Sequence, residues 1–255
     1  MTYPRVTIVT PTLNQAGFIR ETIDSVLSQD YPNIEYIVID GGSTDGTQEI
    51  LKSYGNRLVW VERSGNQASA INYGMRIASG LILHWLNSDD TLLPGAVSEA
   101  ARMFVANPHA AVVYGDTLFT GPTGIPLYSS VSNGIEITDL FVRGNNPIPQ
   151  PSAFIHEEAW LGLDESLEYF MDWDLWLRVG QPIVHVSRIW STYRLHSSSK
   201  TCNRYPVEEL KKIYGKQFRG VSLPAFVYNR MADYHAANGE WLKAKFRRAQ
   251  AWIKG

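Results

Sequence analysis

The chain has 255 residues, enough for one domain of ordinary to large size with a substantial core, and its 44% hydrophobic and 19% charged content is that of a globular protein. A formal net charge of -2 offers no basic face of the kind that nucleic-acid binding needs, and the single cysteine, Cys202, excludes an internal disulfide and a cysteine-based structural zinc site. No stretch approaches the roughly twenty apolar residues that span a bilayer, and Val6-Thr7-Ile8-Val9-Thr10 is broken by threonine and followed by Pro11, so a soluble protein of a reducing, cytoplasmic setting is expected.

Val6 to Val9, short and β-branched, predicts a first strand, with Pro11-Thr12-Leu13-Asn14-Gln15 as the loop at its carboxyl end. Ile19, Ile23, Val26 and Leu27 then fall at i, i+4, i+7 and i+8, one face of a helix that stops near Gln29, before Pro32. Ile34 to Ile39 predicts the second strand. It ends in Asp40-Gly41-Gly42-Ser43-Thr44-Asp45-Gly46-Thr47, a glycine-rich turn whose Thr44 or Asp45 can cap the helix carrying Ile50, Leu51 and Tyr54. A third strand over Leu58 to Val61 leads into a helix with Ile71, Met75 and Ala78, which Gly80 is expected to end.

Leu81 to Leu86 is a nearly unbroken apolar run, read as a strand buried on both faces, and it is followed by Asn87-Ser88-Asp89-Asp90. Adjacent carboxylates repel each other. Because ligands of open α/β sheets bind just beyond the carboxyl ends of strands, the pair points to a bound cation. The competing reading has one of the two acids capping a helix that begins at Pro94. Val97, Ala100, Ala101 and Phe104 mark that helix, and Ala111 to Tyr114 the next strand. This alternation argues for a mostly parallel central sheet covered by helices.

Residues 1–115 thus read as a nucleotide-binding type of α/β unit, the first half of an α/β domain spanning 1–203. In the second half, Ser152 to His156 predicts a strand. Asp172, Leu175, Trp176 and Val179 share a helical face, and two short strands follow at Ile183 to Val186 and Ile189 to Tyr193. Residues 204–255 change character to a C-terminal helical appendage. There Trp241, Leu242, Phe246 and Trp252 are apolar, and Lys243, Lys245, Arg247 and Arg248 are basic. Such a helix packs on the domain or on its twin in a homodimer, or makes peripheral contact with an anionic membrane.

The loop Pro11-Thr12-Leu13-Asn14, the Asp40 to Asp45 turn, Gly65-Asn66-Gln67-Ala68-Ser69-Ala70-Ile71-Asn72 and Asn87-Ser88-Asp89-Asp90 are followed by four more motifs. These are Gln150-Pro151-Ser152, Leu163-Asp164-Glu165-Ser166-Leu167, Met171-Asp172-Trp173-Asp174 and Tyr193-Arg194-Leu195-His196. In this order, over residues 4 to 200, they resemble the family 2 inverting glycosyltransferases of GT-A fold. The resemblance implies a single α/β GT-A domain, with 1–115 as its nucleotide-binding half and 116–203 as its acceptor-binding half, and an enzyme of hexosyltransferase type. Its donor would be a nucleotide diphosphate sugar, commonly a UDP-sugar. Its acceptor would be a hydroxyl of a glycan or glycolipid in polysaccharide or glycolipid synthesis, in the cytoplasm or on the inner face of the membrane.

The same resemblance implies roles. Thr12 and Asp40 would flank the base, with Pro11 and Asn14 in the same donor loop, and Gly65, Gln67 and Asn72 would belong to the stretch over the diphosphate or ribose. Asp90 would bind Mn²⁺ or Mg²⁺, with Asp89 at the ribose or the metal's water. Oxygen donors suit these hard ions, which stabilise the charge of a departing diphosphate. His196 would complete the metal or diphosphate site, and Arg194 and Lys200 would add positive charge. Asp172 matches the catalytic base that an acceptor hydroxyl needs as it attacks. A helix start would depress its pKa, while Phe170, Met171 and Trp173 would desolvate it and raise the pKa; the plainer alternative makes Asp172 a helix cap and Asp174 a surface acid. Trp173 is the candidate for acceptor contact and Trp176 for the core. Gly41, Ser69 and Met171 depart from the family's acids. The rival from another class is a glycosyltransferase-like binding or scaffolding subunit, which would keep ligand and metal binding without sugar transfer.

Overall fold

The computed structural model describes residues 3–130, 146, 148–179, 182–200 and 207–217. The basic, tryptophan-bearing helix expected around residues 241–254, and with it the membrane or dimer contact, lies outside the described residues. β1 (Val6–Thr12), α1 (Ile19–Leu27), β2 (Ile34–Asp40), α2 (Thr47–Ser53), β3 (Val59–Glu62), α3 (Gln67–Ile77) and β4 (Ile82–Trp85) alternate as the sequence predicts. They are followed by β5 (Thr91–Leu92), α4 (Ala96–Ala106), β6 (Val112–Thr120), β7 (Pro126–Ser130), β8 (Ala153–His156), α5 (Met171–Val179), β9 (Ile183–Arg194) and α6 (Val207–Gln217).

One sheet runs β3-β2-β1-β4-β8-β6-β9-β5, with β7 on β6. β1, β2, β3 and β4 pair in parallel, and so do β6 and β9; β8 enters antiparallel between β4 and β6. The register of β1 on β2 runs from Val6 opposite Ile34 to Thr12 opposite Asp40, and Val9 lies opposite Trp85 on β4. Thr12, Asp40 and the chain leaving Trp85 therefore emerge at one edge. Alternate residues of a strand face opposite ways, which is why Ile8 and Val38 enter one apolar cluster while Val9 and Ile39 enter the other. Both faces are covered, so β1 and β2 need near-continuous apolar sequence.

Several boundaries differ from expectation for identifiable reasons. The two short strands at 183–186 and 189–193 are a single strand, β9, whose register against β6 jumps from Gly115 opposite Val186 to Asp116 opposite Ile189. Ser187 and Arg188 bulge there and interrupt the apolar pattern. β6 runs past Tyr114 to Thr120 because its buried Thr117 hydroxyl bonds the hydroxyls of Ser152 and Ser191, a polar core that hydrophobicity does not signal. Gly80 does not end α3, whose C-cap is Ala78 in extended conformation. A Cβ on Gly80 would instead stand 2.5 Å from Thr7 Oγ1 and 2.6 Å from its amide nitrogen, so glycine is required for close approach to β1. α4 begins at Ala96 behind Gly95 (φ +83°), with β5 between it and the acid pair, so neither Asp89 nor Asp90 caps it. Asp45 does accept from the Thr47 amide at the start of α2.

Candidate active site

A cleft of about 490 Å³ opens where β1 and β4 end. Pro11, Thr12, Gly65, Gln67, Asp89 and Asp90 line it from the first half, and Gln150, Tyr169, Asp172 and Lys200 from the second and the segment after β9. The acid pair and the candidate base, 82 positions apart in sequence, thus face one space.

Asp90 is almost fully buried. Its Oδ1 accepts from the Arg194 backbone amide at 2.9 Å and its Oδ2 from the Asn87 side-chain amide at 3.3 Å. Burial, and then the charge of Asp89 beside it, raise the Asp90 carboxyl well above the usual carboxylate range. Asp89 is half-buried, with Oδ2 3.0 Å from His196 Nε2, and the His196 ring packs on Phe18 with centroids 4.6 Å apart. Among the described residues no group of three His, Cys, Asp or Glu side chains closes around a common point. Two carboxylates lining a cleft still suit a hard divalent cation, since Mg²⁺ is commonly held by one or two carboxylates together with waters and substrate phosphates.

Two carboxamides hold this corner together, and the sequence motifs contained them without assigning a role. Asn87 Oδ1 accepts from Gln67 Nε2 at 2.8 Å, and its Nδ2 donates to Gln150 Oε1 at 3.1 Å as well as to Asp90. Gln150 Nε2 donates in turn to the Trp85 carbonyl at 2.6 Å. The signal available in sequence was the carboxamide at each motif's first position; their pairing depends on β8 lying against β4.

Asp172, in the first turn of α5, is half-buried and receives a 2.7 Å hydrogen bond from Asn146 Nδ2. The amides of Trp173 and Asp172 and the Asn146 side chain favour its charged form, yet burial outweighs them and pushes its pKa up to about 6. The two opposed effects expected from the sequence are both present, and desolvation prevails. Asp174 is not a surface acid: it is 2% exposed and ion-paired through Oδ2 with Arg178 Nε at 2.8 Å. Trp173 is not an acceptor contact either, because it is 2% exposed in the core and does not line the cleft. Trp176 belongs to that core as expected, stacked on Trp85 at 5.7 Å.

The remaining expected residues divide into cleft walls and braces. Thr12 lines the cleft, and its buried Oγ1 has no hydrogen-bond partner among the described residues. Asp40 is fully buried and accepts from the Ser43 amide and hydroxyl and from Gln48 Nε2. Asn14, at φ +53°, donates its amide to Ser43 Oγ and accepts from the Thr44 amide, locking the first two loops together. Asn72 bonds the Leu163 amide and carbonyl and Glu165, away from the cleft lining. Arg194 is 4% exposed, its guanidinium spread over the Asp89 and Pro122 carbonyls and Glu21. Lys200 is the basic side chain on the cleft wall among the described residues, and its Nζ donates to the Glu168 carbonyl at 3.1 Å.

The sequence profile described as Glycosyl transferase family 2 matches residues 7–170. The chain belongs to this family. The match contains the acid pair and stops one residue before α5, so Asp172 and His196 lie beyond it. An uncharacterized glycosyltransferase of Rickettsia bellii is 31% identical over 191 residues, covering 69% of this chain and 27% of that protein. Hyaluronan synthase of Pasteurella multocida is 28% identical over 217 residues, 81% of this chain and 22% of that one. The chain spans about a quarter of the length of these relatives. Its α/β fold is the GT-A fold of family 2 glycosyltransferases. The structure of S. aureus TarS with UDP-GlcNAc superposes with a TM-score of 0.67 at 19% identity, covering 82% of this chain and 64% of that one. The mannosyltransferase PcManGT of Pyrobaculum calidifontis with GDP-Man and Mn²⁺ gives 0.65 at 19% identity, covering 100% and 76%.

Proposed function

We propose that this family 2 glycosyltransferase inverts configuration, moving a sugar from a nucleotide diphosphate sugar to a hydroxyl of a glycan or glycolipid, with Asp172 as base. The observation that carries the reading is that Asp172 and the Asp89-Asp90 pair open onto one cleft. A single displacement needs a proton acceptor on the attacking side and stabilised negative charge on the leaving side; in this reading Asp172 fills the first role and a cation held by Asp89 and Asp90 the second. TarS with UDP-GlcNAc and PcManGT with GDP-Man support a nucleotide sugar as donor, and the likeness to hyaluronan synthase supports a glycan product.

Asp90 and Asp89 would hold Mn²⁺ or Mg²⁺, and His196, bonded to Asp89, would orient that carboxylate. When bound, such a cation supplies a Lewis acid for the diphosphate charge. Gly65 and Gln67 would lie against the ribose and phosphates, Pro11 and Thr12 against the base, Asn14 and Asp40 would keep the donor loops in register, and Asn72 would tie α3 to the 163–165 loop. Lys200 would contribute positive charge at the acceptor-side wall, while Arg194 shapes the acid-pair loop. With a pKa about 6, Asp172 is ionised at neutral pH yet far more basic than an ordinary aspartate, a useful compromise for a general base.

The test is release of nucleoside diphosphate from UDP-GlcNAc, other UDP-sugars and GDP-mannose, with and without Mn²⁺. The reading expects turnover of at least one donor and a dependence on the cation. Donor binding without turnover of any of them would favour a binding subunit instead.

A further inference from the structure

We propose that Glu209 is a positioning residue for catalysis: from α6, its carboxylate gathers the backbone N–H groups of Glu168, Tyr169 and Phe170 and so fixes the segment that delivers Asp172 to the cleft. The inference rests on the reading of Asp172 as the base. It extends that reading to a residue about forty positions away that lies beyond the stretch matched by the family.

Glu209 Oε1 accepts from the Glu168 amide at 2.9 Å, and Oε2 accepts from the Tyr169 and Phe170 amides at 3.0 and 3.2 Å. These three amides immediately precede Met171, the first residue of α5. The first N–H groups of a helix and those just before it have no acceptor within the helix, and the positive end of the helix dipole favours a carboxylate there. Charge-assisted hydrogen bonds to backbone amides are among the stronger ones, and three on one side chain fix its orientation as well. The same segment is also held by Lys200, whose Nζ bonds the Glu168 carbonyl and lies 6.0 Å from the Tyr169 ring centre. Residues 168–170 are thus gripped through their amides from α6 and through a carbonyl from the cleft wall.

α6 is a firm anchor for this grip. Leu210 and Ile213 are buried in the same apolar cluster as Leu167, Met171, Trp173 and Trp176. Lys212 contacts Ser166 Oγ and Lys216 contacts Asp164 Oδ2, so the helix is pinned along the loop that leads to the base. Glu168, Tyr169, Met171 and Asp172 all line the cleft. A shift of this segment therefore moves the base relative to the acid pair, which lies between β4 and β5 and is held by Asn87, Arg194 and His196.

The experiment compares wild type with Glu209→Ala, Glu209→Gln and Glu209→Asp in the full chain. Hydrogen exchange is followed on peptides covering residues 164–176, UDP with Mn²⁺ is titrated as the donor-site probe, and diphosphate release from UDP-GlcNAc and GDP-mannose is measured. The proposal expects Glu209→Ala to speed exchange at residues 168–170 and to lower kcat by about tenfold to a hundredfold, the scale of a misplaced catalytic group. UDP affinity should stay unchanged, and Glu209→Gln, which keeps one acceptor oxygen, should recover part of the rate. Unchanged exchange, or faster exchange with unchanged kcat, overturns it. A loss of UDP affinity in parallel with kcat also overturns it, since that is the mark of a general structural role. Should Glu209→Ala fail to fold, Glu209→Asp, with the carboxylate drawn back by one carbon, decides by the same readouts. If wild type turns over none of the UDP-sugars nor GDP-mannose, the reading of the active site fails and the catalytic part of this proposal with it, while the exchange data still judge the grip.

Discussion

Asp90 and Asp172 both have raised pKa values, for different reasons and with different consequences. Asp90 is raised by burial and by a neighbouring charge, a stress that a bound cation relieves; Asp172 is raised by burial alone, which leaves it a stronger base. Asp172→Asn should therefore keep donor binding and lower transfer by roughly a hundredfold or more, measured as kcat beside UDP affinity. In wild type, kcat should climb with pH through about 6 and level off above it, because the base works only when ionised. Stability carries the opposite sign. A folded-state pKa above the ordinary 3.8 of an aspartate means that ionising Asp172 opposes folding, a cost absent below about pH 4 and complete above about pH 6. Asp172→Asn should thus be at least as stable as wild type at pH 8 in urea denaturation. Asp90→Ala should remove the Mn²⁺-dependent part of donor binding, seen as loss of the thermal shift that UDP and Mn²⁺ together produce in wild type.

Among the elements, the local motifs were the legible part, because a strand, the loop at its end and the acids in it are contiguous in sequence. The parallel alternation through β4 was legible for the same reason, since strands buried on both faces and amphipathic helices have distinct periods. The placement of β8 between β4 and β6 was not, nor was the fusion of β9 across the Ser187-Arg188 bulge, because pairing order has no local signature. Burial of Trp173 and Asp174 was misread on similar grounds: the helix α5 packs an ion pair, Asp174 with Arg178, on its covered side. Gly80 illustrates the limit well. Its role is tight contact with β1, and Gly80→Ala would bring a Cβ within 2.9 Å of the Arg5 carbonyl oxygen as well as Thr7. Because backbone atoms cannot yield cheaply, that variant should lose about 1–3 kcal/mol in urea denaturation, the cost of overpacking.

Across the whole molecule, the cleft joins two constructions of different kinds. The side carrying the acid pair is built from parallel strand ends and short loops, cross-tied by Asn14, Asp40, Asn87 and Gln67. The other side depends on contacts distant in sequence: Asn146 on Asp172, Gln150 on Trp85, and α6 on the segment before the base. A ligand that binds only the folded cleft should stabilise both, so UDP with Mn²⁺ at a hundredfold excess over Kd should add about 2.7 kcal/mol to unfolding. The central claim, that one base works across the sugar from the acid pair, is tested most directly by the stereochemistry of donor breakdown with water standing in for the acceptor. Proton NMR of the sugar first released from whichever α-linked nucleotide sugar the wild type turns over, recorded before mutarotation, should show the β anomer with wild type and almost no release with Asp172→Asn. The α anomer appearing first, or unimpaired release by Asp172→Asn, would contradict it.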